Sequence, residues 1–255
     1  MSKGSKRDAA RPESVIPCAK CPHRFNPGFR KFTRDELAFV QTFKIGELSV
    51  PPGTTVVRDG EKAEHLYSIL NGWAMRYKLV DSGKRQILNF SITGDLVGLQ
   101  SALFDKMLHA VDSLTELRLC VFDRRRMFEL YQNHPGLAFD LTWLAAREES
   151  ILADHLANVG QRSAFGRLAY VLTFLSDRAK RAGLARGNTL AMPITQEHLA
   201  DTMGLSMVHT NKTLRRLQAA GFIEWRRQEL TILDLDGLAN AAEYDPLRAT
   251  SRPFI

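Results

Sequence analysis

Ile194-Thr195-Gln196-Glu197-His198-Leu199-Ala200-Asp201-Thr202-Met203-Gly204-Leu205-Ser206-Met207-Val208-His209-Thr210-Asn211-Lys212-Thr213-Leu214-Arg215-Arg216-Leu217 is the stretch from which the rest of the chain can be read. Thr195 is an N-cap for a short helix, with Gln196 and Glu197 in a first turn whose dipole favours negative charge. Ala200 is small where a second helix must cross closely. Gly204, four residues on, supplies a turn that needs φ > 0. Ser206 caps the next helix, which runs to about Ala220 and stops at Gly221. Two short helices joined at a glycine turn are a helix-turn-helix. The β-prone runs 222–225 and 230–233 follow, split by Arg226-Arg227-Gln228, and read as a wing with a basic tip.

In such a unit the second helix enters the major groove by its N-terminal half. Its outward positions are Ser206, Met207, Val208, Asn211 and Lys212, with His209 close by. Asn can bind adenine at two points, Lys can donate to guanine, and an exposed Met or Val can pack on a thymine methyl. Thr195, Arg215, Arg216, Arg226 and Arg227 are placed for phosphates, where they set affinity more than sequence preference.

Charge follows the same division. The 255 residues carry +7 overall; residues 1–34 hold +7, 35–160 hold −4, 161–233 hold +6 and the remainder −2. A basic C-terminal block attracts polyanions such as double-stranded DNA. The composition, 44% hydrophobic and 25% charged, is that of a globular chain, not a disordered one. No run approaches 18 apolar residues, so no membrane partner is expected. Three cysteines are too few for a secreted disulfide scaffold, and the cytoplasm is the expected location.

Upstream, residues 1–32 read as an arm carrying a Cys18-x-x-Cys21 pair, and Thr33 caps a short helix to Phe43. Runs 54–58, 65–70, 73–80 and 86–92 are short, β-prone and bounded by turn residues, which predicts a β-roll over 33–134. Asn71-Gly72 predicts a hairpin within it. A helical stripe from 135 to 160 includes Leu141, Leu144, Ile151, Leu152 and Val159, a natural seam for a homodimer. Glu148 and His155 interrupt it, either at its solvated margin or as polar contacts between two chains. The helix-turn-helix domain then covers 161–236, and 237–255 is a tail.

Taken with Gly94-Asp95-Leu96-Val97-Gly98 and Gly204-Leu205-Ser206, this order resembles the CRP/FNR family of transcriptional regulators over nearly the whole chain. The resemblance implies an α+β architecture: a cyclic-nucleotide-binding-like β-roll, a long dimerisation helix and a C-terminal winged helix-turn-helix. It also implies a palindromic operator and RNA polymerase as a partner. Members that bind cyclic AMP carry Glu and Arg-Ser/Thr after Gly-Asp, whereas this chain has Leu99-Gln100-Ser101 and Leu108-His109-Ala110. A cyclic nucleotide is therefore not expected, since its buried phosphate would lack an Arg. Val208 and Lys212 stand where members commonly aim Glu and Arg at bases, so familiar operators are not expected to transfer unchanged.

Cys120 sits where oxygen-sensing members carry the distant cysteine of an iron–sulfur cluster, but a third N-terminal cysteine is missing near Pro27. Three readings stand: a cluster on Cys18, Cys21 and Cys120 with His23 as a fourth ligand, a thiol switch or zinc site, or inert cysteines. Two other functions were weighed against a DNA-binding regulator. A β-roll metal enzyme would need paired acid and His ligands, yet His65 and His109 stand alone. A regulatory interaction module without specific DNA binding leaves the basic wing unexplained.

Overall fold

The structure, a computed structural model, describes residues 15–244 and 252–253. After two 3₁₀ turns in the arm, α1 (Arg34–Phe43) opens on Thr33, whose hydroxyl accepts from the Glu36 amide while Glu36 accepts from the Thr33 amide. This reciprocal cap satisfies two donors that a helix start leaves free.

The roll is two four-stranded sheets. One has the order β1 (Lys44–Val50), β8 (Leu117–Phe122), β3 (Leu66–Asn71), β6 (Leu96–Val97). The other runs β2 (Thr55–Val57), β7 (Ala110–Ser113), β4 (Ala74–Leu79), β5 (Arg85–Ser91). Asn71-Gly72 is thus not a hairpin: β3 and β4 belong to different sheets, and the chain steps between them there. Gly72 does hold φ +98°, and a Cβ on it would lie 2.3 Å from the Glu116 carbonyl oxygen. The hairpin is the next one, β4–β5, turning at Gly83. Alternation along β8 sends Leu117, Leu119 and Val121 into the roll and Cys120 and Phe122 to the opposite face, against α1 and the arm. A short helix, α2 (Leu99–Phe104), interrupts the strands.

α3 (Met127–Asn133) leads to α4 (Pro135–Gln161), 27 residues long. α5 (Ala164–Arg181), α6 (Gln196–Met203) and α7 (Met207–Ala219) follow, with the sheet β11 (Ile223–Arg226), β12 (Glu229–Ile232), β10 (Thr189–Ala191), β9 (Ala185–Arg186). The segment expected as a tail begins instead within α8 (Leu235–Ala242), which starts on an Asp234 cap and buries Leu238 and Ala242. The two domains do not keep separate cores. Trp73, Met75, Ile87, Phe90 and Ile92 of the roll are continuous with Leu168, Leu172, Met203, Leu217 and Leu238.

The stripe on α4 faces the other way from the expectation. Leu141, Leu144 and Ile151 are buried in the chain's own core and offer nothing to a second chain, while Leu152 is exposed and Val159 half-buried beside Gly204. The outward apolar positions are Phe139, 68% exposed, Leu152 and Leu156, 75% exposed, with small Ala145, Ala146 and Ala153 between them. Glu148 and His155 are neither marginal nor free for another chain. Glu148 pairs with Arg76 of β4, and His155 Nδ1 lies 2.8 Å from the Leu88 carbonyl of β5, its ring edge-on to Tyr170 and Phe174.

Candidate nucleic-acid interface

The helix-turn-helix forms as the caps dictate. Thr195 Oγ1 accepts from the His198 amide at 3.2 Å, and His198 Nδ1 accepts from the Thr195 amide at 3.2 Å. Gly204 closes α6 at φ +64°, and Ser206 Oγ accepts from the His209 amide to open α7. Thr210, Leu214 and Leu217 turn inward, while Ser206, Met207, Val208, His209, Lys212, Arg215 and Arg216 are exposed and Asn211 half-buried. Val208 is 79% exposed, an unusual setting for an aliphatic side chain at the start of a basic helix.

Val208, Asn211, Lys212, Arg215 and Arg216 line one open hollow along α7. Asn211 turns its Oδ1 inward, buried and without a hydrogen-bond partner, so a two-point contact to adenine requires the amide to rotate outward. Arg216 lies over the Phe165 ring, 5.1 Å from its centroid, which holds it at the rim. At the wing, Arg227 and Gln228 form a two-residue turn with φ +46° and +67°. Arg227 is exposed at the tip, whereas Arg226 pairs with Glu224 at 2.5 Å and carries less free charge. Thr195 is exposed at the N-terminus of α6. Of the predicted base and phosphate residues, the structure brings Val208, Asn211, Lys212, Arg215 and Arg216 together on one hollow, while Ser206 lines another that faces the roll.

The ties that seat this unit on the roll are long-range pairs with no local signature. Arg85 Nε donates to Asp201 Oδ2 at 2.7 Å, and Gln86 Nε2 donates to the Thr202 carbonyl at 3.0 Å. Arg178 of α5 reaches the β5–β6 turn, donating to Asp95 at 2.6 Å and to the Phe90 carbonyl at 2.8 Å. Burial pushes the Asp95 carboxyl up, but Arg178 and Arg252 outweigh it and hold it well below the usual carboxylate range.

In the roll, His109 Nε2 accepts from Arg76 Nε at 3.2 Å, and Arg76 is also bound to Glu148 of α4. A guanidinium thus lies beside the cassette that the sequence alone left without one, already neutralised within the chain. Burial, then the charges of Arg76 and Lys78, push His109 down to about 3. Its unfolded counterpart titrates near 6.5, so the unfolded chain binds the extra proton first. Stability is therefore present above pH 6.5 and is lost as pH falls from there toward 3, by about 1.4 kcal/mol per unit. Denaturant midpoints of wild type and His109→Gln between pH 7.5 and 4.5 check this; the variant should show the flatter slope.

The cysteines converge from two directions. Cys18 and Cys21 sit in the arm's 3₁₀ turns, Cys120 on β8, and all three line one cavity of about 20 Å³ with Lys44, Leu70 and Phe122. That is room for a single water-sized body. Burial pushes all three thiols up, Cys120 to about 12, against a weaker pull from Lys44. Lys44 Nζ is held by Glu47 at 2.5 Å and by the Ile16 carbonyl at 2.8 Å. His23 Nε2 lies 2.6 Å from the Leu70 carbonyl oxygen, and His23 is not among the residues that line this cavity. Among the described residues no three His, Cys, Asp or Glu side chains could hold a metal ion. A cavity this small, with no fourth donor beside it among the described residues, does not fit an iron–sulfur cluster.

Comparison with known proteins agrees with this layout. The description "Cyclic nucleotide-binding domain" matches residues 47–134, and "Crp-like helix-turn-helix domain" matches residues 166–241. The transcriptional activatory protein AadR of Rhodopseudomonas palustris is 28% identical over 188 residues, 73% of this chain and 74% of the relative. The transcriptional activator protein FnrL of Cereibacter sphaeroides is 26% identical over 212 residues, 81% and 83% of the two chains. The solved structure of FixK2 from Bradyrhizobium japonicum shares the fold with a TM-score of 0.69, at 24% identity over 76% of this chain and 96% of that one. No helix among the described residues is long and apolar enough to cross a membrane. The roll and the helix-turn-helix, each matched by its own family description and joined by the long helix, make this chain a member of the CRP/FNR family of DNA-binding transcriptional regulators.

Proposed function

We propose that the chain acts as a homodimer on a palindromic operator, reading bases with Ser206, Met207, Val208, His209, Asn211 and Lys212 and phosphates with Thr195, Arg215, Arg216, Arg226 and Arg227. The observation that carries this is the exposed face of α7, where Val208 and Lys212 stand beside Arg215 with the Arg227 tip on the adjoining wing. Two such faces related by a two-fold axis read two half-sites about one helical turn apart. RNA polymerase is the expected partner at the promoter. Sequencing the DNA retained from a random pool tests the reading. Recovery of a palindrome supports it, and binding indifferent to sequence at moderate salt removes it.

The dimer seam in this reading is the outward face of α4: Phe139, Leu152 and Leu156 with the alanines between them. Small residues there let two helices approach closely. Leu156→Glu should leave the monomer folded, because Leu156 is exposed, and convert a dimer to a monomer in light scattering with loss of operator binding. A dimer that survives the substitution would place the seam elsewhere.

The convergence of Cys18, Cys21 and Cys120 on one cavity supports a redox input through thiols. Equal operator binding by reduced and air-exposed protein, in wild type and in each Cys→Ser variant, would remove that input. A catalytic reading finds no support: His109 is spent on Arg76 within the roll.

A further inference from the structure

Arg252 closes a junction of three parts. Arg252 pairs in parallel with Phe29 of the arm: its amide donates to the Gly28 carbonyl at 2.9 Å, and its carbonyl accepts from the Arg30 amide at 2.8 Å. Its side chain crosses to the roll, donating to the Gly94 carbonyl at 3.1 Å and to Asp95. Asp95 is the carboxylate that Arg178 of the DNA-binding domain holds from the other side. The arm meets α5 directly as well, since a Cβ on Gly28 would stand 2.6 Å from the Arg181 carbonyl oxygen. The same arm ends, ten residues earlier, at the cysteine pocket.

We propose that Arg252 is a positioning residue, a clasp that makes the arm and the DNA-binding domain move as one body on Asp95. Operator binding and the arm's seating in the cysteine pocket are then coupled. This rests on the DNA-reading function above for its partner, not for its geometry. Coupling is reciprocal: whatever the arm does to DNA affinity, DNA must do to the arm. Cys18 and Cys21 are buried reporters of that seating.

The test alkylates the full-length protein with iodoacetamide and follows Cys18 and Cys21 by mass spectrometry, with and without operator DNA selected from a random pool. Wild type should show a DNA-dependent change in rate of about threefold or more. Arg252→Ala should lose the dependence and Arg252→Lys should restore it, an outcome that simple shielding by DNA or a merely structural role would not give. A DNA effect that is absent from wild type, or that survives in Arg252→Ala, overturns the clasp. A mobility shift on the same samples reports the DNA-reading function separately. Should wild type bind no DNA specifically, the DNA-free rates decide: Arg252→Ala must alkylate about threefold faster than wild type, and equal rates overturn the proposal.

Discussion

Arg178→Ala is expected to lower the unfolding free energy by about 3 kcal/mol, since three buried acceptors lose a charged donor while Asp95 keeps Arg252. Arg178 is 4% exposed and Asp95 likewise. Asp95 Oδ2 accepts from Arg178 and from the Ile92 amide at 2.8 Å, and the Phe90 carbonyl and Asn89 Oδ1 accept from the same guanidinium. Removing it strips three acceptors at once in a region shared by roll and helices, leaving Arg252 as the carboxylate's cation. Denaturant unfolding measures the loss as a shift in midpoint at unchanged slope. Arg178→Met combined with Asp95→Asn should recover little of it, because Arg252 then loses its carboxylate and becomes the uncompensated charge. A loss below about 1 kcal/mol for the single variant would mean that solvent reaches the carboxylate.

The second large effect concerns DNA, and its signature is a contrast between two cations. Lys212→Ala should cost about 1–3 kcal/mol on the preferred operator, roughly 5- to 150-fold, and relax the preference at one base pair in each half-site. Arg227→Ala should weaken binding to every sequence alike and lower the slope of log affinity against log salt by about 1. The difference follows from position: Lys212 is exposed midway along α7 in one hollow with Val208 and Asn211, Arg227 at a wing tip. Titrations of both variants at several salt concentrations, on the selected operator and on a scrambled one, separate the two. Lys212→Ala losing equal affinity on both DNAs would make it a phosphate contact and leave base reading to Val208, Asn211 and their neighbours.

Much of the reading unit was legible because its signals are local. Thr195, Gly204, Ser206 and Gly221 act on their own turns, and all four work as caps or stops where expected. Long-range pairing was not legible. Asn71-Gly72 announces a positive φ correctly, but which strands pair there depends on β8, some fifty residues on. The stripe on α4 announced a buried face without saying what buries it, and the chain's own core takes Leu141, Leu144 and Ile151. Glu148 and His155 find partners on β4 and β5, more than sixty residues away. α8 was not legible as a helix because only eight residues follow the Asp234 cap and only Leu238 and Ala242 of them are buried.

Held on its inner face by the roll and the DNA-binding domain, α4 cannot spin about its own axis without breaking Glu148–Arg76 and the His155 contact. What is left to it is tilt. At 27 residues it is a rod of about 40 Å. A rotation of about 5° at the roll end carries the other end through about 3.5 Å, close to the rise of one base pair along B-DNA. Because His155 ties the far end of the rod to β5, and Asp201 ties the reading unit there, the reading helix takes that step only when those two contacts give way. The length of α4, more than any residue on it, sets the gain of this mechanical lever.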